Sequence, residues 1–348
     1  MFSATVFALE TSLPVQYKAL KTCRAKSVLF ALSESSSRMA TDSRRLSILT
    51  TQEIDDLFGL PHFTENDRRF FFDLNPAERD LVDSVYTISV AVHLILQLGH
   101  FKAKRQFFVY TREEVIDDLE HIRHRYFPAR DIVEIKMLSK PTRLEQQVIL
   151  KLFDYQTCDA AAKSALQQKA RRVAMLSTLP IFILREALQY LTNQRIVAPG
   201  YSYLQDMVGR TVSGERQRVT HLLGQALTPA VEQQLEKLLQ ADEGMYRISA
   251  LKHEPKDFSY GELRQEVARR RFFQLLYAFG QTFLAQAGLS NESVKYHASL
   301  VQFYAVYKLQ RMAVPTTRLY LLCFAYHRFC QINDGSVALA VKPPAGLC

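Results

Sequence analysis

The sequence predicts a mainly α-helical fold of several helical modules, one of them a helix-turn-helix-like unit, with at most short β pieces. Capping-box spacings recur along the chain: a hydroxyl residue precedes a Glu or Gln by three positions, which satisfies backbone N–H groups at a helix start. Apolar residues then follow at helical spacing, as in Leu263, Val267 and Phe279. Short β pieces are predicted only at Phe107 to Tyr110 and at Arg195 to Ala198, where β-branched or aromatic residues lie between turn formers.

The helix starts and the breaks between helices follow in chain order. The predicted capping boxes pair Thr50 with Glu53, Thr111 with Glu114, Thr142 with Glu145, Ser202 with Gln205, and Ser259 with Glu262. Asn75-Pro76 and Thr228-Pro229 each supply a cap followed by proline at the first helical position. Pro128 to Pro141 and LKHEPKDFSYG (251–261) are rich in turn formers and predict boundaries between modules.

These boundaries divide the chain into five parts. Residues 1–45 have no periodic pattern and are predicted to be a disordered or mis-called extension, with Met39 as the true start; a basic arm that adds DNA affinity is the alternative. The other parts are a first helical module at 46–138, a second at 139–250, a long-helix module at 251–334, and an aberrant tail, GSVALAVKPPAGLC, at 335–348.

Composition indicates a soluble, cytosolic protein. The 348 residues, 48% of them hydrophobic, can fill two or three cores. Five scattered cysteines without any CxxC motif indicate reduced thiols. The apolar runs are much shorter than a membrane span, so no membrane partner is expected.

The formal charge of +9 is unevenly distributed. Residues 46–101 carry 3 Lys/Arg against 9 Asp/Glu, whereas 102–172 carry 15 against 10 and 173–320 carry 17 against 12. The basic surface is therefore local and begins at Lys102. Such a surplus is common in proteins that never touch DNA, so it favours a nucleic-acid partner only slightly.

One candidate DNA contact follows an apolar helix that is expected to stop at Gly99. The stop would expose Lys102, Lys104 and Arg105, whose cations could reach successive phosphates. The alternative is a solvated loop that only aids solubility.

A second candidate is the helix-turn-helix-like unit, with helices at Pro180 to Asn193 and Ser202 to Leu223. Because Arg can pair with guanine and Gln with adenine, the outward polar residues of the second helix are candidate base readers. They are Gln205, Arg210, Arg216, Gln217 and Arg218. The turn is longer than usual, so a plain helical hairpin is the alternative. Arg171-Arg172 and Arg269 to Arg271 are further basic clusters, which could instead be solvated faces.

The sequence contains no GxGxxG, GxxxxGKS, HExxH or GxSxG motif and offers no acidic triad, so we expect no enzyme and no cofactor. Cys323, His327 and Cys330 share one helical face, but their apolar neighbours favour a core stripe over a metal site. His121 and His124 lie on a charged helix face and are interpreted as solvated or phosphate-contacting. The aromatic residues of the last helices are predicted to form core: Phe272, Phe273, Tyr277, Phe279, Tyr304 and Tyr307.

A series of sequence blocks, in order, resembles the amino-terminal part of the Tn3-family replicative transposases. They are RRLSILTTQEIDDLFGLP (44–61), ILQLGHFKAKRQFF (95–108), SKPTRLEQQVILKLFDY (139–155), RIVAPGYSYLQDMV (195–208), LKHEPKDFSYGEL (251–263) and the stretch from Tyr296 to Asp334. The resemblance implies a protein of the bacterial cytoplasm, associated with the nucleoid, whose helical modules at 46–138 and 139–250 bind double-stranded DNA at transposon terminal inverted repeats. It also implies that the catalytic Mg²⁺ belongs to an RNase H-like domain that follows in relatives, so a truncation near Asp334 is expected.

Two other functions stay open. One is a truncated transposition regulator that occupies transposon ends and blocks the full-length transposase; a homo-oligomer, or a hetero-oligomer with full-length transposase, is a separate partner expectation. The other is a helical protein-interaction module without a DNA role.

Overall fold

The computed structural model describes residues 46–85, 87–129, 142–242, 245–253 and 259–341, with side chains through Asp334. Several predicted features lie outside the described residues: the extension at 1–45, most of the boundary at Pro128 to Pro141, residues 254–258 of LKHEPKDFSYG, and residues 342–348 of the tail.

The predicted mainly α-helical fold is confirmed. The helices are α1 (Thr51–Phe58), α2 (Glu65–Phe71), α3 (Pro76–Asp83), α4 (Ile88–Lys104), α5 (Ile116–Tyr126), α6 (Arg143–Phe153), α7 (Ala160–Leu176), α8 (Pro180–Asn193), α9 (Tyr201–Ala226), α10 (Pro229–Leu238), α11 (Arg247–Lys252), α12 (Tyr260–Gln286), α13 (Asn291–Phe303), α14 (Val306–Arg311) and α15 (Val314–Val341). A 3₁₀ helix, Glu113–Val115, precedes α5.

The β structure of the described residues is small. Strands β1 (Ala241–Asp242) and β2 (Met245–Tyr246) form an antiparallel pair that the sequence analysis missed. The predicted piece at Arg195 to Ala198 is reduced to one parallel bridge between Ile196 and Gln156. The predicted piece at Phe107 to Tyr110 is wrong, because those residues form no strand.

The described chain forms two compact units. Unit 1 comprises the described residues up to Gln167 together with Leu184–Met207, and unit 2 comprises Gln168–Ile183 together with the residues from Val208 onward. The chain passes between the units inside α7, α8 and α9 rather than at loops. The predicted module boundaries at 138 and 250 stay predictions.

Helix starts in unit 1 are fixed by capping boxes, in which side chain and backbone satisfy each other's hydrogen bonds. The predicted pairs Thr50 with Glu53 and Thr142 with Glu145 are confirmed, and two further pairs join them, Thr64 with Asp67 and Asn75 with Glu78. The predicted pair at Ser202 is wrong: α9 begins at Tyr201, and the Gln205 amide donates instead to the Leu46 carbonyl at 3.0 Å.

Helix α4 is the central element of unit 1, since every residue from Ala91 to Phe101 is buried. The predicted helix stop at Gly99 is wrong, because α4 continues to Lys104. The glycine serves packing: a Cβ there would lie 2.2 Å from Cε1 of the buried Phe72 ring. Gly99 therefore lets α2's carboxyl-terminal end press directly on the backbone of α4.

The core of unit 2 joins α12, α13 and α15. Phe273 packs edge-on against Phe324 with ring centroids 6.2 Å apart, and Tyr277 stacks on Phe329 at 4.1 Å. The core prediction is thus confirmed for these aromatic faces. It is wrong for Tyr307, which is 62% exposed.

Helix α15 continues past Asp334 to Val341. The interpretation of residues 335–348 as an aberrant tail stays a prediction. Within the described part of the chain, no helix is long and apolar enough to cross a membrane.

Candidate nucleic-acid interface

The first predicted DNA contact lies at the end of α4, where the cations turn inward. The Lys102 ammonium lies 2.6 Å from the carboxylate of Glu78, which is 1% exposed, and also donates to the Asp73 carbonyl at 2.5 Å. The Lys104 ammonium donates to the carbonyls of Asp55 (3.1 Å) and Gly59 (2.6 Å), and burial lowers its pKa. Both lysines therefore hold unit 1 together, and the expectation of an exposed segment here is wrong.

Arg105 ends α4 with a left-handed backbone, φ 52°. Its guanidinium carbon lies 5.1 Å from the ring centroid of Phe153 and 5.7 Å from those of Phe101 and Tyr155. Burial lowers its pKa. A cation stacked on three rings is committed to packing, so a role for Arg105 at phosphates stays a prediction that would require rearrangement.

The second predicted site has the expected helices, since α8 matches Pro180 to Asn193 and α9 covers Ser202 to Leu223. Their connection, residues 194–200, is pinned on both sides of the bridge: Gln156 N–H donates to Arg195 O at 2.8 Å, and Val197 N–H donates to Gln156 O at 2.9 Å. An anchored connection of this length is not the short turn of a helix-turn-helix. The geometry therefore favours the alternative, a plain helical hairpin, and base reading by α9 stays a prediction.

Three of the candidate base readers on α9 are engaged within the protein. Gln205 is tied to Leu46, as described above. Arg216 donates to the Tyr320 hydroxyl at 3.3 Å. Arg218 donates to the Glu215 carboxylate at 2.7 and 2.9 Å and to the Ala287 carbonyl at 2.8 Å, and these hydrogen bonds with Glu215 raise its pKa.

Arg210 and Gln217 remain outward, and the structure places them in a longer exposed row. We call this row the α9 stripe: Arg210, Gly214, Gln217, His221, Gly224 and Gln225. The spacing keeps these residues on one face of the helix. All exposed residues of α9 are free of carboxylates, and a Cβ added at Gly214 or Gly224 would meet nothing within 4 Å. Arg210 forms no hydrogen bond or ion pair with any described residue.

The other basic clusters of unit 2 differ in exposure. Arg171 and Arg172 on α7 are both exposed and have no hydrogen bond or ion pair with the described residues. On α12, Arg269 pairs with Glu266, whereas Arg271 is exposed. The exposed arginines, not the paired ones, are available to phosphates.

No group of three or more His, Cys, Asp or Glu among the described residues is arranged to hold a metal ion. Cys323 is fully buried, and burial raises the pKa of its thiol, as expected for a core residue. The His121 ring lies 3.6 Å from Glu65, and burial lowers its pKa. His124 contacts the guanidinium of its neighbour Arg123 at 2.9 Å.

The fold and the α9 stripe define a helical protein with an exposed, carboxylate-free helix face. Residues 48–211 match the family model described as "Domain of unknown function (DUF4158)", a domain known from Tn3-family transposases. The match begins just before α1 and ends within α9, so it includes Arg210 but not the rest of the α9 stripe. Comparison with curated proteins gave no match.

Proposed function

We propose that this chain binds duplex DNA at transposon terminal inverted repeats, as the end-recognition part of a Tn3-family transposase. The observation that carries the proposal is the α9 stripe, a helix face that offers Arg, Gln and His side chains to solvent without one carboxylate. The DUF4158 match at residues 48–211 and the resemblance of the sequence blocks support the transposase assignment.

The stripe has the chemistry that a major groove requires. An α-helix fits the groove, where Arg pairs with guanine and Gln with adenine through two hydrogen bonds each. Arg210 and Gln217 are both exposed on this face. The acidic residue nearest to them in helical spacing is Asp206, one turn before Arg210, and it is only partly exposed. The open space at Gly214 and Gly224 lets a sugar-phosphate backbone approach the helix closely.

Phosphate contacts are assigned to exposed arginines of unit 2. Arg171 and Arg172 extend from α7 without partners among the described residues. Neither guanidinium therefore has to break an ion pair before it contacts a phosphate. Each phosphate that such a cation neutralises releases counterions, which makes binding depend on salt.

Substitutions separate the two kinds of contact. Arg210→Ala should narrow the free-energy gap between repeat and random DNA by roughly 1–3 kcal/mol, because a base contact is lost. Arg171→Ala should weaken binding to both duplexes by the same factor. It should also make the slope of log affinity against log salt less negative by about 0.9, the contribution of one phosphate. Arg79→Ala is the control, since Arg79 is an exposed arginine of unit 1 that lies outside both sets. Equal effects of all three substitutions would exclude the α9 stripe as the reading surface.

Gly214 provides an independent test, because it changes shape without changing charge. Gly214→Leu places a side chain in open space on a helix and should leave the fold intact. It should weaken duplex binding by about tenfold or more if DNA approaches this face, since about 1.4 kcal/mol corresponds to a factor of ten. Unchanged binding would place the DNA elsewhere.

We also propose that strand cleavage is not an activity of this chain, since the sequence offers no assignable acidic triad for two-metal chemistry. Incubation with transposon-end DNA and Mg²⁺ or Mn²⁺ should yield no nick. Nicks at the repeat boundary that disappear on substitution of an Asp or Glu of this chain would show the opposite.

A further inference from the structure

Unit 1 contains a groove of about 600 Å³ that the DNA proposal does not use. Its walls come from the end of α1, the loop that follows, α2, and the end of α4. We call it the acidic groove; the lining residues that characterise it are Asp55, Asp56, Phe63, Asp67, Phe70 and Phe71. Its size falls within the range of ligand sites in proteins.

The apolar part of the acidic groove is aromatic. Phe63 is buried and stacks on Phe71 with ring centroids 5.2 Å apart and planes at 30°. Phe70 packs edge-on against Phe71 at 5.1 Å yet is 74% exposed. A phenylalanine exposed to this extent beside two others forms an apolar surface that a partner could cover.

The rim of the acidic groove is negative. Asp55, Asp56 and Asp67 contribute carboxylates, and the hydrogen bonds from Thr64 lower the pKa of Asp67, which keeps it ionised. The one lysine in the lining, Lys104, directs its ammonium to the Asp55 and Gly59 carbonyls at the end of α1. The Asp56 carboxylate also accepts from the Gln52 amide at 2.9 Å, and the Lys104 charge is attracted to Asp55 and Asp56. Three carboxylates against one lysine leave the rim with a negative surplus of two charges.

We propose that the acidic groove binds a positively charged segment of a partner protein, with a large apolar side chain against Phe70 and flanking Lys or Arg at the carboxylates. The carboxylates repel phosphates, so a basic protein segment is favoured over nucleic acid as the occupant. Arg is favoured near the rings because a guanidinium also gains from an aromatic face. The segment would enter as a short anchor with a polar surround, the usual anatomy of such interfaces.

The test uses the full chain and labelled decapeptides, followed by fluorescence anisotropy. The basic apolar peptide GSKRLFRKGS should bind saturably, whereas GSKRGGRKGS, without apolar residues, and GSEDLFEDGS, with reversed charge, should each bind at least about tenfold more weakly. Equal binding of the first two peptides would overturn the proposal, as would no saturable binding of GSKRLFRKGS.

Four substitutions locate the binding. Phe70→Ala should weaken the peptide about tenfold and Asp56→Asn about threefold or more, because a central anchor contributes more than a rim charge. Val109→Ala and Asp80→Asn are the matched controls: Val109 is also 74% exposed, and Asp80 is an exposed carboxylate of the same unit outside the groove. All four positions are exposed, so unchanged thermal unfolding should accompany every variant. Controls that weaken binding as much as Phe70→Ala would overturn the proposal.

One more variant identifies a competing occupant. Residues 1–38 are themselves basic, with Lys18, Lys21, Arg24, Lys26 and Arg38 against Glu10 and Glu34. A chain that starts at Met39 should bind GSKRLFRKGS with unchanged affinity. If the deletion raised the affinity for GSKRLFRKGS by about tenfold or more, residues 1–38 would be competing with the peptide for the acidic groove. That result would overturn the assignment of the groove to a partner protein.

Discussion

The substitution Lys102→Met tests whether Lys102 stabilises the fold or contacts DNA. The ammonium lies 2.6 Å from Glu78, and the two side chains are 16% and 1% exposed. Removing one partner of a buried ion pair leaves an uncompensated charge, which costs about 3–5 kcal/mol. The Glu78 carboxylate also accepts the Asn75 N–H at 3.0 Å, and Lys102 is not fully buried, so we expect a smaller loss of about 2–4 kcal/mol.

The assay is thermal and urea unfolding of the full chain. A loss of that size should lower the melting temperature of unit 1 by roughly 5–15 °C, since 1 kcal/mol shifts a domain of this size by about 2–4 °C. The double variant Glu78→Gln with Lys102→Met should be less destabilised than Lys102→Met alone, because it carries no buried unpaired charge. Lys151→Met, at an exposed position on α6, is the control and should lose less than about 1 kcal/mol.

The reasoning would be refuted by a Lys102→Met variant that unfolds like the parent chain. If that variant also showed a salt dependence of DNA binding that is shallower by about one phosphate, Lys102 would be the phosphate contact that sequence alone predicts.

Three further predictions concern stability. Burial lowers the pKa of His297 from 6.5 to about 4. The neutral ring's contribution to the free energy of unfolding is therefore complete above pH 6.5, and on the order of 3 kcal/mol is lost as the pH falls toward 4. His297→Gln should remove this pH-dependent loss, measured by urea unfolding at pH 6.5 and pH 4. Gly99→Ala should destabilise the protein by about 1–3 kcal/mol, because the added Cβ would clash with Phe72. Gly214→Ala, in open space on a helix, should stabilise it by about 0.5–1 kcal/mol. Changes in the free energy of chemical unfolding that have the same sign for both variants would contradict this. Removal of residues 1–38 should leave the melting temperature and helix content unchanged, and a fall of several degrees, roughly 1 kcal/mol or more, would show that the segment packs on the fold.

The helices were largely predictable, because helix starts depend on neighbouring residues. Thr50, Thr142 and Asn75 cap their helices through partners three positions away, which the sequence displays directly. The same rule failed at Ser202, where the amide of Gln205 finds a carbonyl from a distant part of the chain. Local spacing cannot report such competition.

The exposure of the cations was not predictable, because it depends on long-range partners. In the sequence, Gly99 resembles a helix stop, but in the structure it lies inside α4 and leaves room for the Phe72 ring. Lys102 and Lys104 then continue on α4 and meet Glu78 and the end of α1, and no sequence pattern announces either contact. Proximity of basic residues in sequence was therefore a poor guide to a basic surface.

The α9 stripe has a signature in the sequence. Arg210, Gly214, Gln217, His221 and Gly224 follow helical spacing in the sequence itself. The sequence analysis named Arg210 and Gln217 of this row, but it also named Arg216 and Arg218, whose side chains turn to partners in unit 2. The absence of carboxylates and the two glycines are the signals that distinguish the exposed face.

The central claim, recognition of transposon ends, is tested most directly by one titration. The chain from Met39 is mixed with a labelled duplex carrying the terminal inverted repeat of its own transposon and, separately, with a shuffled duplex of equal length, in about 150 mM salt. We predict that the chain binds the repeat duplex at least about tenfold more tightly than the shuffled duplex. The slope of log affinity against log salt should be about −0.9 for each phosphate that the protein neutralises. Equal affinity for the two duplexes, or binding to neither, would contradict the claim.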